Sequence, residues 1–292
     1  MYKKYTGRKI AIFSDVHALL EPLEAIIDDI KKRGINEIYS LGDNIGVGPS
    51  PCDVIDMLEY HNIKSVAGNA EEYCTLGIAP YIMSFNRDKL LSQQWTYSKL
   101  GRMRLEYIKK LCHSYDINIG GKKVAVCHFA NDIRTDYDLH GTEKYLRNLK
   151  SGEAYKQFFY TNSKEHLDNI RYNISKFGIN NPRIRGYLSA RDYPIFNGKT
   201  VDSYNSIIQG HVHRNLYEKG NNIEFYSIRA VALHFDNDPK NMAFYIVLHE
   251  KTNNMGFDIE RVYLPFDREK MEYTINKSDE PTGKIKKLVK MV

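Results

Sequence analysis

Apolar residues along the chain fall into short unbroken runs that alternate with stretches of helical periodicity. Residues 9–15, KIAIFSD, read as a buried strand. In the following ALLEPLEAIIDDIKKR, Leu19, Leu20, Leu23, Ile26, Ile27 and Ile30 recur at helical spacing, and Gly34 is placed to stop that helix. A second strand, EIYSLGD (37–43), leads through the Gly/Pro-rich NIGVGPSP into an amphipathic helix, CDVIDMLEYH, with Val54, Ile55 and Leu58 on one face. IKSVAGN (63–69) reads as a third strand. Strands alternating with helices predict an α/β architecture whose first strands are largely parallel.

Helical character resumes over 82–112, and KKVAVCHF (122–129) is again a strand. Residues 131–204 differ, with helical patches near 142–160 and 163–177 followed by irregular sequence. NSIIQGH (205–211) returns to the strand pattern, and IEFYSI, MAFYIVLH and DIERVYL read as consecutive antiparallel strands. The polar, basic C-terminus KSDEPTGKIKKLVKMV predicts a frayed or loosely docked tail. The expected molecule has two half-sheets packed face to face with helices outside. Residues 1–130 plus 205–292 form its domain, and 131–204 is a helical, cap-like insertion over one face.

Composition narrows the setting. The chain has 292 residues, 42% hydrophobic and 27% charged, which is ordinary for a water-soluble globular protein. No run of eighteen apolar residues predicts a membrane span, and the N-terminal MYKKYTGRKIAIFSD lacks the apolar core of a secretory signal. Cys52, Cys74, Cys112 and Cys127 are far apart and form no CxxC, so a cytoplasmic setting is expected. The net charge of +6 favours anionic ligands without itself pointing to nucleic acid.

Candidate chemistry gathers where strands end. Five apolar runs finish in FSDVH, LGDN, AGN, VCH and QGHVH. In an open α/β sheet, ligands collect beyond the carboxyl ends of strands, so residues distant in sequence converge there. Asp15 and His17 stand two apart, and His211 and His213 repeat the spacing, which on an extended backbone turns both side chains to one side. Glycines before Asp43, Asn69 and His211 allow sharp turns and close backbone approach. Carboxylates, imidazoles and an amide oxygen together suit a divalent transition metal, Mn, Fe, Zn or Ni. Seven candidate ligands exceed one catalytic ion but suit two sharing a carboxylate, an arrangement that clamps a phosphoryl group and activates water.

These residues resemble the calcineurin-like metallophosphoesterase superfamily and its bacterial branch of small phosphoesterases and phosphodiesterases. The resemblance rests on Asp15-Val16-His17, Gly42-Asp43-Asn44, Gly68-Asn69, His128 and Gly210-His211-Val212-His213. It covers nearly all of 9–130 and 205–265 but not the insertion. It implies a four-layer αββα sandwich. Asp15, His17 and His213 would hold one ion, Asn69, His128 and His211 the other, and Asp43 would bridge them. Mn or Fe comes first as the metal, then Zn or Ni. The implied reaction is direct attack of a metal-bound hydroxide on phosphorus, without a covalent phosphoenzyme, in a phosphomonoester or phosphodiester.

The chain departs from that pattern at Ala70, where the superfamily carries a histidine assigned to protonating the leaving oxygen or stabilising the transition state. General acid assistance contributes roughly 10²–10⁴-fold. Three explanations stand open: another group donates the proton, with Glu71, Glu72, Asp132 and His140 as candidates; the substrate has a good leaving group; or the protein binds metal and phosphate with little turnover. Glu71 and Glu72 also read as an exposed helix N-terminus favoured by the helix dipole. The expected partner is a small phosphorylated molecule, a nucleotide among the candidates. Aromatic and basic residues interleaved over 131–204 raise a nuclease alternative, with the insertion as a clamp, against a plainer helical subdomain.

Overall fold

The computed structural model describes residues 7–76, 87–128, 204–211, 213–219, 223–233, 241–252, 255–283 and 285–290. Residues 131–204, expected to form an insertion, lie almost wholly outside them with Asp132 and His140, as do 77–86. The described strands form two five-stranded sheets. The first contains β1 (Lys9–Phe13), β2 (Glu37–Ser40), β3 (Lys64–Ser65), β9 (Ala243–Glu250) and β10 (Phe257–Leu264), in the order β10-β9-β1-β2-β3. The second contains β4 (Ser114–Ile119), β5 (Lys122–Cys127), β6 (Ser206–Gln209), β7 (Leu216–Lys219) and β8 (Glu224–Ser227), in the order β4-β5-β6-β8-β7. Both are mixed. The β1–β2–β3 pairs and the β5–β6–β8 pairs are parallel, while β9, β10, β4 and β7 join antiparallel.

Strand alternation divides the core in two. Ile10 and Ile12 of β1 and Phe244, Ile246 and Leu248 of β9 face Val124 and Val126 of β5 and Ile208 of β6 between the sheets. Ala11 and Phe13 face the other way, against the helices α1 (Leu20–Lys32), α2 (Pro51–Tyr60) and α4 (Arg87–Ile108), through Leu23, Ile26, Val54, Ile55 and Leu100. Helix α3 (Asn69–Leu76) packs on α4, which is broken at Gly101, and α5 (Arg268–Lys277) packs on α1. The α/β reading and the two facing sheets are as the sequence predicts.

Four details differ. IKSVAGN pairs with β2 at Lys64–Ser65 and bridges Cys112 through Val66, and it goes no further because the chain turns at Gly68 and α3 begins at Asn69. IEFYSI does not join the next two strands: β8 lies parallel to β6 in the second sheet, and only β9 and β10 are antiparallel neighbours. The strands SYDINI (114–119) and LYEK (216–219) are additional. The C-terminus is docked rather than frayed, since Ile285 is buried in the helix-side core and Asp279 accepts hydrogen bonds from Trp95 Nε1 (3.0 Å) and Lys99 Nζ (2.7 Å). Among the described residues, no helix is long and apolar enough to cross a membrane.

Candidate metal centre

The loops after β1 and β2 are joined backbone to backbone. Asp15 N–H donates to Gly42 O (2.9 Å), His17 N–H to Asp43 O (2.9 Å) and Ala18 N–H to Asn44 O (2.8 Å). This fixes Asp15, His17 and Asp43 relative to one another before any side-chain contact is considered. The loop after β6 joins them where His211 N–H donates to Asp15 Oδ2 at 3.0 Å. A methyl group on Gly210 would lie 2.0 Å from Ser14 Oγ, so close approach demands glycine there. Likewise, a methyl group on Gly68 would lie 2.4 Å from both Asp43 N and Asp43 Oδ1.

The backbone at these spacings is not extended as expected. Asp15, His17, Asp43, His211 and His213 have φ of 56°, 50°, 50°, 67° and 57°, so they sit in left-handed turns and not on extended backbone. Such residues cost roughly 1–3 kcal/mol each and persist where the surroundings over-determine them, commonly at functional sites. Asp15 and His17 do turn to the same place, whereas His211 and His213 turn to different ones.

Two groups result. Asp15, His17 and His213 present ligand atoms within 4.8 Å of one another, and Asp43, His128 and His211 do the same. In the first, His17 Nε2 lies 3.0 Å from His213 Nε2, and His213 Nε2 lies 3.1 Å from Asp15 Oδ1. In the second, His128 Nε2 lies 3.5 Å from Asp43 Oδ1 and 3.4 Å from Asn69 Oδ1. Asp43 faces both, since its Oδ2 is 3.9 Å from His17 Nε2. All seven sequence-selected residues therefore meet at one place. Imidazole nitrogens converging on one another and on buried carboxylate oxygens form an unfavourable set for anions and a fitting one for cations. His128 Nδ1 donates to Leu41 O at 2.7 Å, which in the neutral ring leaves Nε2 as a lone-pair donor toward the group.

Protonation follows from burial. Burial and the nearby His213 charge push His17 down to about 4, and burial with His128 pushes His211 down to about 3. Burial alone would raise Asp15, but His213, His128 and His17 outweigh it and hold its carboxyl below the usual range. For His128 burial works downward, and Asp43 and Asp15 outweigh it and raise it. His17 and His211 are thus available as neutral ligands well below neutral pH.

In metal-free protein their depressed values stabilise the fold above the unfolded value of 6.5, and that contribution is lost as pH falls toward about 4 and about 3. Glu71, raised from 4.5 to about 7, acts oppositely, and its effect is complete once pH has fallen to 4.5. We expect the urea midpoint of chelator-treated protein to fall between pH 6.5 and pH 4, and a flat profile would contradict these assignments.

Glu71 and Glu72 are not an exposed helix N-terminus, for both are buried. Glu71 Oε2 accepts from Asp43 N–H (2.9 Å) and Gly68 N–H (2.8 Å), and Oε1 accepts from Asn44 N–H (2.8 Å). Its burial and the Asp43 charge push it up to about 7, against the pull of those N–H groups. A carboxylate so occupied ties the second and third strand-end loops together and is not placed as a proton donor to substrate. Glu72 Oε1 lies 3.6 Å from His113 Nδ1. Sequence reasoning passed over His113, which precedes a strand missing from the periodicity reading. Ala70 is 2% exposed, and its N–H donates to Asp43 Oδ1 at 2.7 Å.

Comparison with known proteins agrees with this geometry. The calcineurin-like phosphoesterase family model matches residues 8–215. An uncharacterized protein of Methanocaldococcus jannaschii is 36% identical over 119 residues, 41% of this chain and 48% of its own. The chain thus spans about half the length of that curated relative. A metallophosphoesterase structure from Sphaerobacter thermophilus superposes with TM-score 0.61 at 19% identity, covering 98% of this chain and 100% of that one. A hypothetical protein from Pyrococcus horikoshii gives TM-score 0.62 at 13% identity, covering 96% and 97%. At such identities these two structures establish a shared fold.

Proposed function

Because the chain belongs to the calcineurin-like phosphoesterase family, we propose that it is a two-metal hydrolase of phosphomonoesters or phosphodiesters of small molecules, nucleotides among them. The carrying observation is the pair of His/Asp groups with Asp43 facing both.

On this reading Asp15, His17 and His213 would hold one ion and Asn69, His128 and His211 the other, with Asp43 available to both. The imidazole-rich, carboxylate-containing set suits a divalent transition metal, Mn, Fe, Zn or Ni. When bound, paired divalent ions lower the pKa of water and offset charge on phosphoryl oxygens. The chain's own residues supply the frame. His128 is oriented by the Leu41 carbonyl, Asp15 is held by Ser14 Oγ (2.5 Å) and the His211 N–H, and Asp43 is held through its backbone by Glu71. The left-handed turns at five of the seven residues keep their side chains directed before substrate arrives.

Protein purified without chelator should carry up to two transition ions per chain by elemental analysis and hydrolyse an aryl phosphate or aryl diester with added Mn. No binding of Mn, Fe, Zn or Ni at micromolar levels would remove the proposal. A second reading is favoured by Ala70: a metal- and phosphate-binding regulatory protein with little turnover. It predicts bound metal with negligible hydrolysis across a broad phosphoester panel.

A further inference from the structure

A different element occupies the place beside Ala70. Ala70 is fixed beside Asp43 by its N–H bond to Oδ1, and its methyl faces Gly46 of the loop after β2. Neither residue has a polar side chain. A methyl group built on Gly46 would lie 3.3 Å from Ala70 Cβ and 3.1 Å from Gln93 Nε2, with Gln93 Oε1 at 3.6 Å. The amide of Gln93 therefore packs beside these two small residues, delivered by α4 from outside the strand-end loops.

Gln93 is an unusual occupant of its own helix. It lies on the buried stripe with Thr96 and Leu100, while Gln94, Tyr97, Ser98 and Lys99 are exposed. Core-facing helical positions are normally apolar. Gln93 is 7% exposed, and its buried Oε1 has no hydrogen-bond partner among the described residues. A buried amide without partners is costly, and such groups are usually matched by a ligand or water. A half-turn of the amide exchanges its donor and acceptor, so it can serve an anionic oxygen or a hydroxyl.

We propose that Gln93 takes the place vacated at Ala70, hydrogen-bonds the bound phosphoryl group on its leaving-group side, and so selects esters whose leaving oxygen needs no proton. This rests on the phosphoester reading above. An amide donates a hydrogen bond but does not surrender its proton at neutral pH. It steadies charge on oxygen without acting as a general acid. Aryl esters and phosphoanhydrides are then better substrates than alkyl esters. Gly46, at φ 75°, is a position where a side chain would be strained and would crowd the Gln93 amide.

The test uses metal-loaded full-length protein, with Gln93→Leu as the near-isosteric variant and Gln93→Ala as the truncation. Inorganic phosphate is titrated calorimetrically, and kinetics are measured on a series of substituted phenyl phosphates and one alkyl phosphate. Both variants should keep their metal content and lose roughly ten-fold or more in phosphate affinity. Their kcat on aryl esters should fall about 10–100-fold. Ala70→His alone should gain nothing on the alkyl ester, because Gln93 fills the room the imidazole needs. Ala70→His combined with Gln93→Ala should gain. Wild-type phosphate affinity in a folded, two-metal Gln93→Leu protein would overturn the proposal. If wild type proves inert on every ester, the phosphoester reading fails, and the phosphate titration still decides whether Gln93 contacts the anion.

Discussion

Asp43→Ala is expected to abolish hydrolysis of an aryl phosphate or aryl diester. Asp43 faces both groups, with Oδ1 3.5 Å from His128 Nε2 and Oδ2 3.9 Å from His17 Nε2. Its carboxylate is buried. Loss of an outer partner of a metal ligand typically costs about 10–100-fold. A residue shared between two ions should cost more, on the order of 10³-fold or greater in kcat. Metal content should fall below two ions per chain, because removing the shared charge leaves mutually repelling cations with one bridge fewer. Asp43→Asn keeps the shape and removes the charge. It should bind metal weakly and remain far below wild type. The measurements are steady-state kinetics with saturating Mn and elemental analysis on the same preparation. An alanine variant within about ten-fold of wild type would show that the two groups do not act as one centre.

Glu71→Ala should strongly destabilise the fold although its side chain makes no contact with the metal-ligand atoms. Glu71 accepts the backbone N–H groups of Asp43, Asn44 and Gly68. Truncation leaves three buried donors without their acceptor, each worth roughly 1–3 kcal/mol if left unmatched. Water entering the cavity recovers part of that cost, so a net loss of about 3–5 kcal/mol is expected. For a chain of this size this corresponds to a fall in Tm on the order of 10 °C. The same change unfastens the loop after β2 from the turn at Gly68, so metal affinity should fall with stability. Glu71→Gln keeps one carbonyl acceptor but turns an NH₂ toward a backbone donor, and it should lie between wild type and alanine. Thermal melts of chelated and Mn-loaded protein separate the two effects. A Glu71→Ala protein with unchanged Tm and full metal content would mean that the three N–H bonds are incidental.

The two expectations mark how differently the parts of the site could be read from sequence. The seven converging residues were legible because each ends an apolar run, and a strand end in an α/β sheet is a place with a direction. Glu71 was not legible in its true role. An acid at the start of a helix has a ready local explanation in the helix dipole, and nothing in its neighbours reveals three N–H groups arriving from positions 43, 44 and 68. Gln93 and His113 were passed over for related reasons. One sits on a helix whose buried face cannot be fixed until α3 packs on it, and the other precedes a strand that periodicity did not resolve.

The sequence by itself determined the α/β class, the first parallel strands and the identity of the residues that meet at the strand ends. Periodicity is a local property, and the five apolar runs carry their polar endings with them. Tertiary structure decided the rest. It placed β8 beside β6 rather than beside β9, and docked Ile285 into the core. It set five of the seven residues in left-handed turns, parted His211 from His213, and packed the amide of Gln93 beside Ala70 and Gly46. Each of these depends on which distant segments share a surface. That choice is made by burial and hydrogen-bond matching over the whole molecule, and a window of local sequence does not contain it.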